Sequence, residues 1–184
     1  KESLKDIGAG CLLHDVGMLR VAPDLLNSSR PLHKIEKLDI TKHPAFTFEM
    51  IKDLEGISLG SRMVAYQMHE RMDGSGYPRS LLSNRIHPFA KVAMIADTYI
   101  ALTSDRPHRS AYLPYYAVSE ILQEASSGRL DRHAVQAFLN TVSLFPLGSI
   151  FEMNDGRVGR VVRANPGQYT RPVVEVWNPS SPEE

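Results

Sequence analysis

His69-Glu70-Arg71-Met72-Asp73-Gly74-Ser75-Gly76-Tyr77-Pro78 links an amphipathic segment to a dense turn. Upstream, Ile57, Met63, Val64 and Met68 are the apolar positions of a helix expected over 57–71, so His69 falls at its end. Glycine, serine and proline crowd the run from Asp73 to Pro78, which marks a sharply returning loop. Downstream, the segment from Pro88 to Ser104 is apolar nearly all round, with Phe89, Val92, Ala93, Met94, Ile95, Ala96, Ile100 and Leu102. Such a helix is expected to be central and buried. Its interior acid, Asp97, is then conspicuous, because a buried carboxylate needs hydrogen bonds, a cation or a metal.

Working outward, Leu4, Ile7, Cys11, Leu12 and Leu13 recur near helical spacing and end at Gly17, placing His14 and Asp15 in the last turns of a first helix. A connector with two prolines follows over 21–31, with room for one short helical turn. Further helices are expected over 32–42 and from Pro44, a first-turn residue, to near Gly56. Two amphipathic helices follow Ser104, near 114–126 and 131–142. After Pro146 the pattern changes to short strands at 149–153, 159–163 and 172–177. Asn154-Asp155-Gly156 between the first two reads as a hairpin turn.

The expected organisation is mainly α: a helical bundle over 1–145, a small C-terminal β element over 146–178, and a polar tail over 179–184. Three short strands cannot bury a core alone, so the β element should pack on the helices. Trp177 reads as a strand-packing residue.

The 184 residues carry 21 basic and 21 acidic side chains, so no global field favours polymeric nucleic acid. A small anionic ligand held by a few local arginines fits that balance. The single cysteine, Cys11, excludes an internal disulfide and reads as a packing residue. No apolar stretch reaches the ~18 residues of a membrane span, and a cytoplasmic location is expected. Lys1 opens inside a helical pattern with no signal peptide, which suggests a fragment with sequence missing upstream.

A neutral imidazole and a carboxylate side by side, as in His14-Asp15, can both reach a divalent cation from one helix end. Alone, the pair reads by default as a capping aspartate beside a partly exposed histidine. His43 before Pro44 has a surface-turn reading, and His69 a helix-end reading favoured by the dipole. Together, His14, Asp15, His43, His69 and Asp97 bring ligand types from separate helices, which is how helical bundles build carboxylate–histidine metal sites.

The run His69 to Pro78 resembles the signature of the HD-GYP family, the cyclic di-GMP phosphodiesterases of the HD superfamily. His14-Asp15-Val16-Gly17 resembles its HD motif, Lys42-His43-Pro44 its downstream His-Pro, and the segment from Ile95 to Pro107 its later metal-aspartate region. The match runs in order over about residues 11–140. It implies an HD-superfamily helical bundle and hydrolysis of cyclic di-GMP. It also implies one or two divalent transition metal ions (iron, manganese or nickel) on His14, Asp15, His43, His69 and Asp97, with Asp15 bridging and central to catalysis. Arg106 and Arg109 match positions where the family places basic side chains near ligand phosphates. For Arg106 the plainer reading is a salt bridge to Asp105 or Glu120. Tyr77 either stacks on guanine or packs the loop down, and the loop is also a candidate docking surface for GGDEF-domain proteins.

Two positions depart from the pattern. Met18 stands where the family has lysine, and Met68 where it has a further histidine ligand. A thioether supplies neither charge nor a proton and is a poor ligand in a histidine–carboxylate site. The resemblance therefore implies weakened phosphodiesterase activity. The alternative is a degenerate domain that binds cyclic di-GMP, or docks a GGDEF partner, without cutting.

Overall fold

Helix α6 (Pro88–Thr103) is the element that the others meet in this computed structural model, which describes residues 2–106, 109–142, 144–165, 168 and 170–177. Its start is set by Pro88, whose missing N–H costs nothing in a first turn, and by the N-cap His87, whose ring accepts the Phe89 N–H. Against α6 pack α1 (Glu2–Leu13), α5 (Leu59–Gln67), α7 (Pro114–Ser126) and α8 (Arg132–Leu139). Between α1 and α5 in sequence lie the short turn α2 (Pro23–Leu26), α3 (Lys34–Ile40) and α4 (His43–Ile51), of which α4 packs on α5.

Met94 and Ile95 of α6 are buried with Ile121, Leu130 and Val135 on one side, while Ala93 meets Val64 and Met68 on the other. Each large side chain buried there contributes roughly 1.5–3 kcal/mol. The expectation of burial all round is corrected: Val92 is 48% and Ile100 61% exposed. One stripe of this helix remains open because α1, α5, α7 and α8 cover only part of its circumference.

The first helix is also shorter than its apolar pattern suggests. It ends at Leu13, and Val16–Arg20 continues as a 3-10 helix, so His14 and Asp15 lie in the turn between the two. Tight packing fixes that turn. A Cβ on Gly17 would collide with the His43 carbonyl and the Thr47 backbone at the start of α4. The Thr47 hydroxyl accepts from Gly17 N at 2.9 Å and donates to the His14 carbonyl at 2.7 Å.

Strands β1 (Ile150–Glu152), β2 (Val158–Arg163) and β3 (Val173–Trp177) form an antiparallel sheet in the order β1-β2-β3. Gly156, at φ +83°, makes the β1–β2 turn in a conformation that favours glycine. Arg160 pairs with Glu175 across β2 and β3 at 2.6 Å. The sheet reaches the helices through a ladder of rings, Phe151 on Phe145 and Phe145 on Tyr115. Trp177 is 40% exposed at the end of β3. The polar tail expected over 179–184 lies outside the described residues.

Candidate metal centre

Five side chains from four regions of the chain converge beside α6. His14 and Asp15 come from the turn after α1, His43 opens α4, His69 follows the end of α5, and Asp97 projects from α6. His14 Nε2 lies 3.1 Å from Asp15 Oδ2 and 3.8 Å from Asp97 Oδ1. His43 Nε2 lies 3.3 Å from Asp15 Oδ1, and His69 Nδ1 lies 3.4 Å from Asp97 Oδ2. The His43 and His69 rings meet edge to face at 4.8 Å, and His14 is 5.7 Å from His69.

Backbone carbonyls orient two of the rings. His14 Nδ1 donates to the Cys11 carbonyl at 2.6 Å and His43 Nδ1 to that of Ile40 at 2.8 Å. In the neutral ring this leaves Nε2 as the lone-pair nitrogen, the arrangement in which an outer acceptor fixes a metal-ligating histidine. His43 is fully buried, and its Nε2 and that of His69 have no hydrogen-bond partner among the described residues. Unpaired buried ring nitrogens are costly unless something else meets them. His14, Asp15 and His69 offer ligand atoms that all lie within 4.8 Å of one another. The donor set therefore fits a divalent metal ion.

The charges reinforce one another. Burial pushes the Asp15 carboxyl up, but the hydrogen bond and charge of His14, with His43 and His69 nearby, hold it below the usual carboxylate range. Asp97 is likewise raised by burial and then held low by its contact with His69. For His14, burial lowers the imidazole, and the Asp15 contact outweighs it and raises the ring overall. Burial keeps His43 below its ordinary value. The two carboxylates, both held low, supply the negative charge that a cation needs.

The Gly74–Pro78 loop closes over this cluster. Tyr77 stacks on His69, with centroids 5.0 Å apart and planes 16° apart, and meets His43 edge-on at 6.0 Å. Burial, with Asp97 and Asp15 close by, pushes its phenol up to about 12. Tyr77 thus packs the loop onto the histidines. Gly76 crosses the Glu70–Arg71 backbone so closely that a Cβ would collide with it.

Glu70 was not singled out by its sequence, yet it holds the loop in place. It is fully buried, and its two oxygens accept from Arg79 N at 2.8 Å and Leu81 N at 2.9 Å. Its position between a helix end and a glycine-rich loop is the signal available, because such a loop leaves backbone donors in need of an acceptor. Met68 is 1% exposed and packs with Val64 and Ala93 in the core.

Both arginines expected near phosphates line a recess beside Asp97, and Arg109 is also anchored to the backbone. Its guanidinium donates to the Ala101 and Leu102 carbonyls at the end of α6 and lies 4.4 Å from the Tyr112 ring centroid. Arg106 pairs by backbone with Arg109, and its exposed side chain borders a recess beside Asp97. No ion pair between Arg106 and Asp105 or Glu120 is found among the described residues; the Asp105 carboxylate accepts from Ala111 N.

Residues 1–134 match the HD domain family. This chain belongs to the HD domain family. The chain is 29% identical over 174 residues to the cyclic di-GMP phosphodiesterase PA4108 of Pseudomonas aeruginosa, covering 95% of this chain and 42% of that protein. It is 31% identical over 142 residues to the cyclic di-GMP phosphodiesterase response regulator RpfG of Xanthomonas campestris, covering 76% and 37%. Identity to the 3'3'-cGAMP-specific phosphodiesterase 3 of Vibrio cholerae is 30% over 135 residues, covering 73% and 29%. The HD domain described by this chain thus spans less than half the length of each of these relatives. In fold it is similar to Bd1817, an HDG"Y"P protein of Bdellovibrio bacteriovorus, with a TM-score of 0.55, 19% identity, and coverage of 69% of this chain and 40% of that one. With its His14-Asp15 pair and Gly76-Tyr77-Pro78 triplet, this is an HD domain of the HD-GYP type. Among its described residues no helix is long and apolar enough to cross a membrane.

Proposed function

We propose that this HD domain is a metal-dependent phosphodiesterase whose substrate is cyclic di-GMP. The observation that supports the reading best is the convergence of five ligand-type side chains around the unpaired, buried Nε2 atoms of His43 and His69. Its relatives of the same family are named for the hydrolysis of cyclic dinucleotides. His14, Asp15, His43, His69 and Asp97 would hold one or two ions of iron, manganese or nickel. When bound, such an ion supplies Lewis acidity at a phosphodiester and a nucleophile at neutral pH.

The protein's own share of the work is placement. The Cys11 and Ile40 carbonyls hold the His14 and His43 rings in one orientation. Tyr77, on the loop anchored by Glu70, packs against the His69 and His43 rings and restrains them. Asp15, the more exposed of the two carboxylates, faces both His14 and His43 and is suited to bridge. Arg106 offers a cation for a ligand phosphate at the edge of the cluster.

The test is incubation of the purified protein with cyclic di-GMP and manganese or ferrous iron, with products separated by chromatography. Formation of linear dinucleotide or GMP, abolished by Asp15→Ala, supports the proposal. Binding without cleavage would contradict it and mark a cyclic di-GMP receptor or a docking module for a GGDEF-domain protein. Met18 and Met68 favour that second reading, since Met68 lies in the core and gives the site no nitrogen.

A further inference from the structure

Two recesses open beside the candidate metal centre, and Arg71 lines both. The first, about 350 Å³, is walled by His69, Tyr77, Ser75 and Arg129. The second, about 240 Å³, is walled by Asp97, Thr98, Arg106 and Arg109. His69 and Asp97 stand 3.4 Å apart, one in each wall, so the centre adjoins both spaces and Arg71 forms the ridge between them.

The guanidinium of Arg71 is held from three directions. Nη1 donates to the Glu70 carbonyl at 3.0 Å, Nη2 donates to Thr98 Oγ1 at 3.2 Å, and Nε lies 3.2 Å from Glu124 Oε2. Arginine has five N–H groups. Among the described residues two of them donate hydrogen bonds, one from each terminal nitrogen, while Nε faces the Glu124 carboxylate as an ion pair; each terminal nitrogen keeps one further N–H. Two such donors match two oxygens of one phosphate. A guanidinium already held in place loses less side-chain freedom when a ligand arrives. Arg109, in the same recess, has both terminal nitrogens turned to backbone carbonyls.

We infer that Arg71 grips a phosphodiester of the ligand at the ridge, with one nucleoside of a cyclic dinucleotide in each recess. Glu124 and Thr98 are its positioning residues. The inference rests on the proposed substrate class and deepens it. A cyclic dinucleotide has a nucleoside on either side of each phosphate, which matches two recesses flanking one cation. A mononucleotide would fill only one of them.

The experiment is calorimetric titration of the manganese-loaded protein with the bis-phosphorothioate analogue of cyclic di-GMP, which resists cleavage. Arg71→Met, Arg71→Lys and Glu124→Gln are compared with the parent, and manganese content and melting temperature are measured on each sample. Arg71→Met is expected to weaken binding about tenfold or more, with manganese content unchanged. Arg71→Lys should recover part of the loss, because it restores the charge but not the fork. Glu124→Gln should fall between the parent and Arg71→Met. Equal affinity in parent and Arg71→Met overturns the inference, and so does a loss that follows lost manganese, or a parent that does not bind the analogue. If Arg71→Met does not fold, an unchanged affinity in Arg71→Lys overturns it instead. Failure of the proposed hydrolysis is seen separately, as a parent that binds the analogue yet leaves cyclic di-GMP uncut.

Discussion

His69 Nδ1 stands 3.4 Å from Asp97 Oδ2, although 28 positions separate the two residues in the sequence and α6 must fold back beside α5 to join them. This contact ties the end of one helix to the interior of another and holds the Asp97 carboxyl ionised beside the remaining histidines. Asp97→Asn keeps the volume and removes the charge. It is expected to lower manganese affinity at least tenfold, measured by equilibrium dialysis with metal analysis. Unchanged affinity would remove Asp97 from the ligand set.

Metal binding should stabilise the fold, because the five side chains meet only in the folded state. At a free ion concentration of a hundred times Kd, the gain is about 2.7 kcal/mol. Thermal melts with and without manganese will show it as a raised Tm that a chelator reverses. Asp15→Ala should melt at the same temperature with or without the ion. A Tm shift retained in that variant would point to binding elsewhere.

Glu70→Ala leaves the Arg79 and Leu81 N–H groups without their buried acceptor. The expected loss is about 2–4 kcal/mol in urea unfolding, with faster proteolysis of the loop around Gly74–Pro78. Glu70→Gln keeps one carbonyl acceptor and should lose less. A variant as stable as the parent would show that the loop does not depend on that carboxylate.

Gly76→Ala places a methyl group against the Glu70–Arg71 backbone, which cannot yield as a flexible side chain would. The substitution should cost about 1–3 kcal/mol and shift the Tyr77 ring away from His69. The chemical shifts of the His69 ring protons report that stacking directly. Unperturbed shifts with parental stability would contradict the close crossing.

Much of this was legible in the sequence, for a physical reason. Singly, His14, Asp15, His43 and His69 each have an ordinary use at a helix end or turn, and it was their order along the chain, with Asp97 inside an apolar helix, that narrowed the chemistry. The longest helix and α7 were marked at their starts by Pro88 and Pro114. The end of α1 was not, because what stops it is the contact between Gly17 and the start of α4, which no local pattern records. The open stripe at Val92 and Ile100 was hidden for the same reason, since periodicity shows which residues are apolar but not how many neighbours cover them. Glu70 and Arg71 passed unnoticed between His69 and the glycines, as their roles exist only once the loop has turned back over them. The anchoring of Arg109 to the carbonyls at the end of α6 has no local sequence signal either, because it exists only once the chain turns back on that helix.

The most direct test is diffraction from crystals grown with manganese, with anomalous data collected at the manganese absorption edge. The account predicts an anomalous peak within bonding distance of His14, Asp15, His43, His69 and Asp97. A map with no peak among those side chains at saturating manganese, or with its strongest peak elsewhere on the molecule, would contradict it.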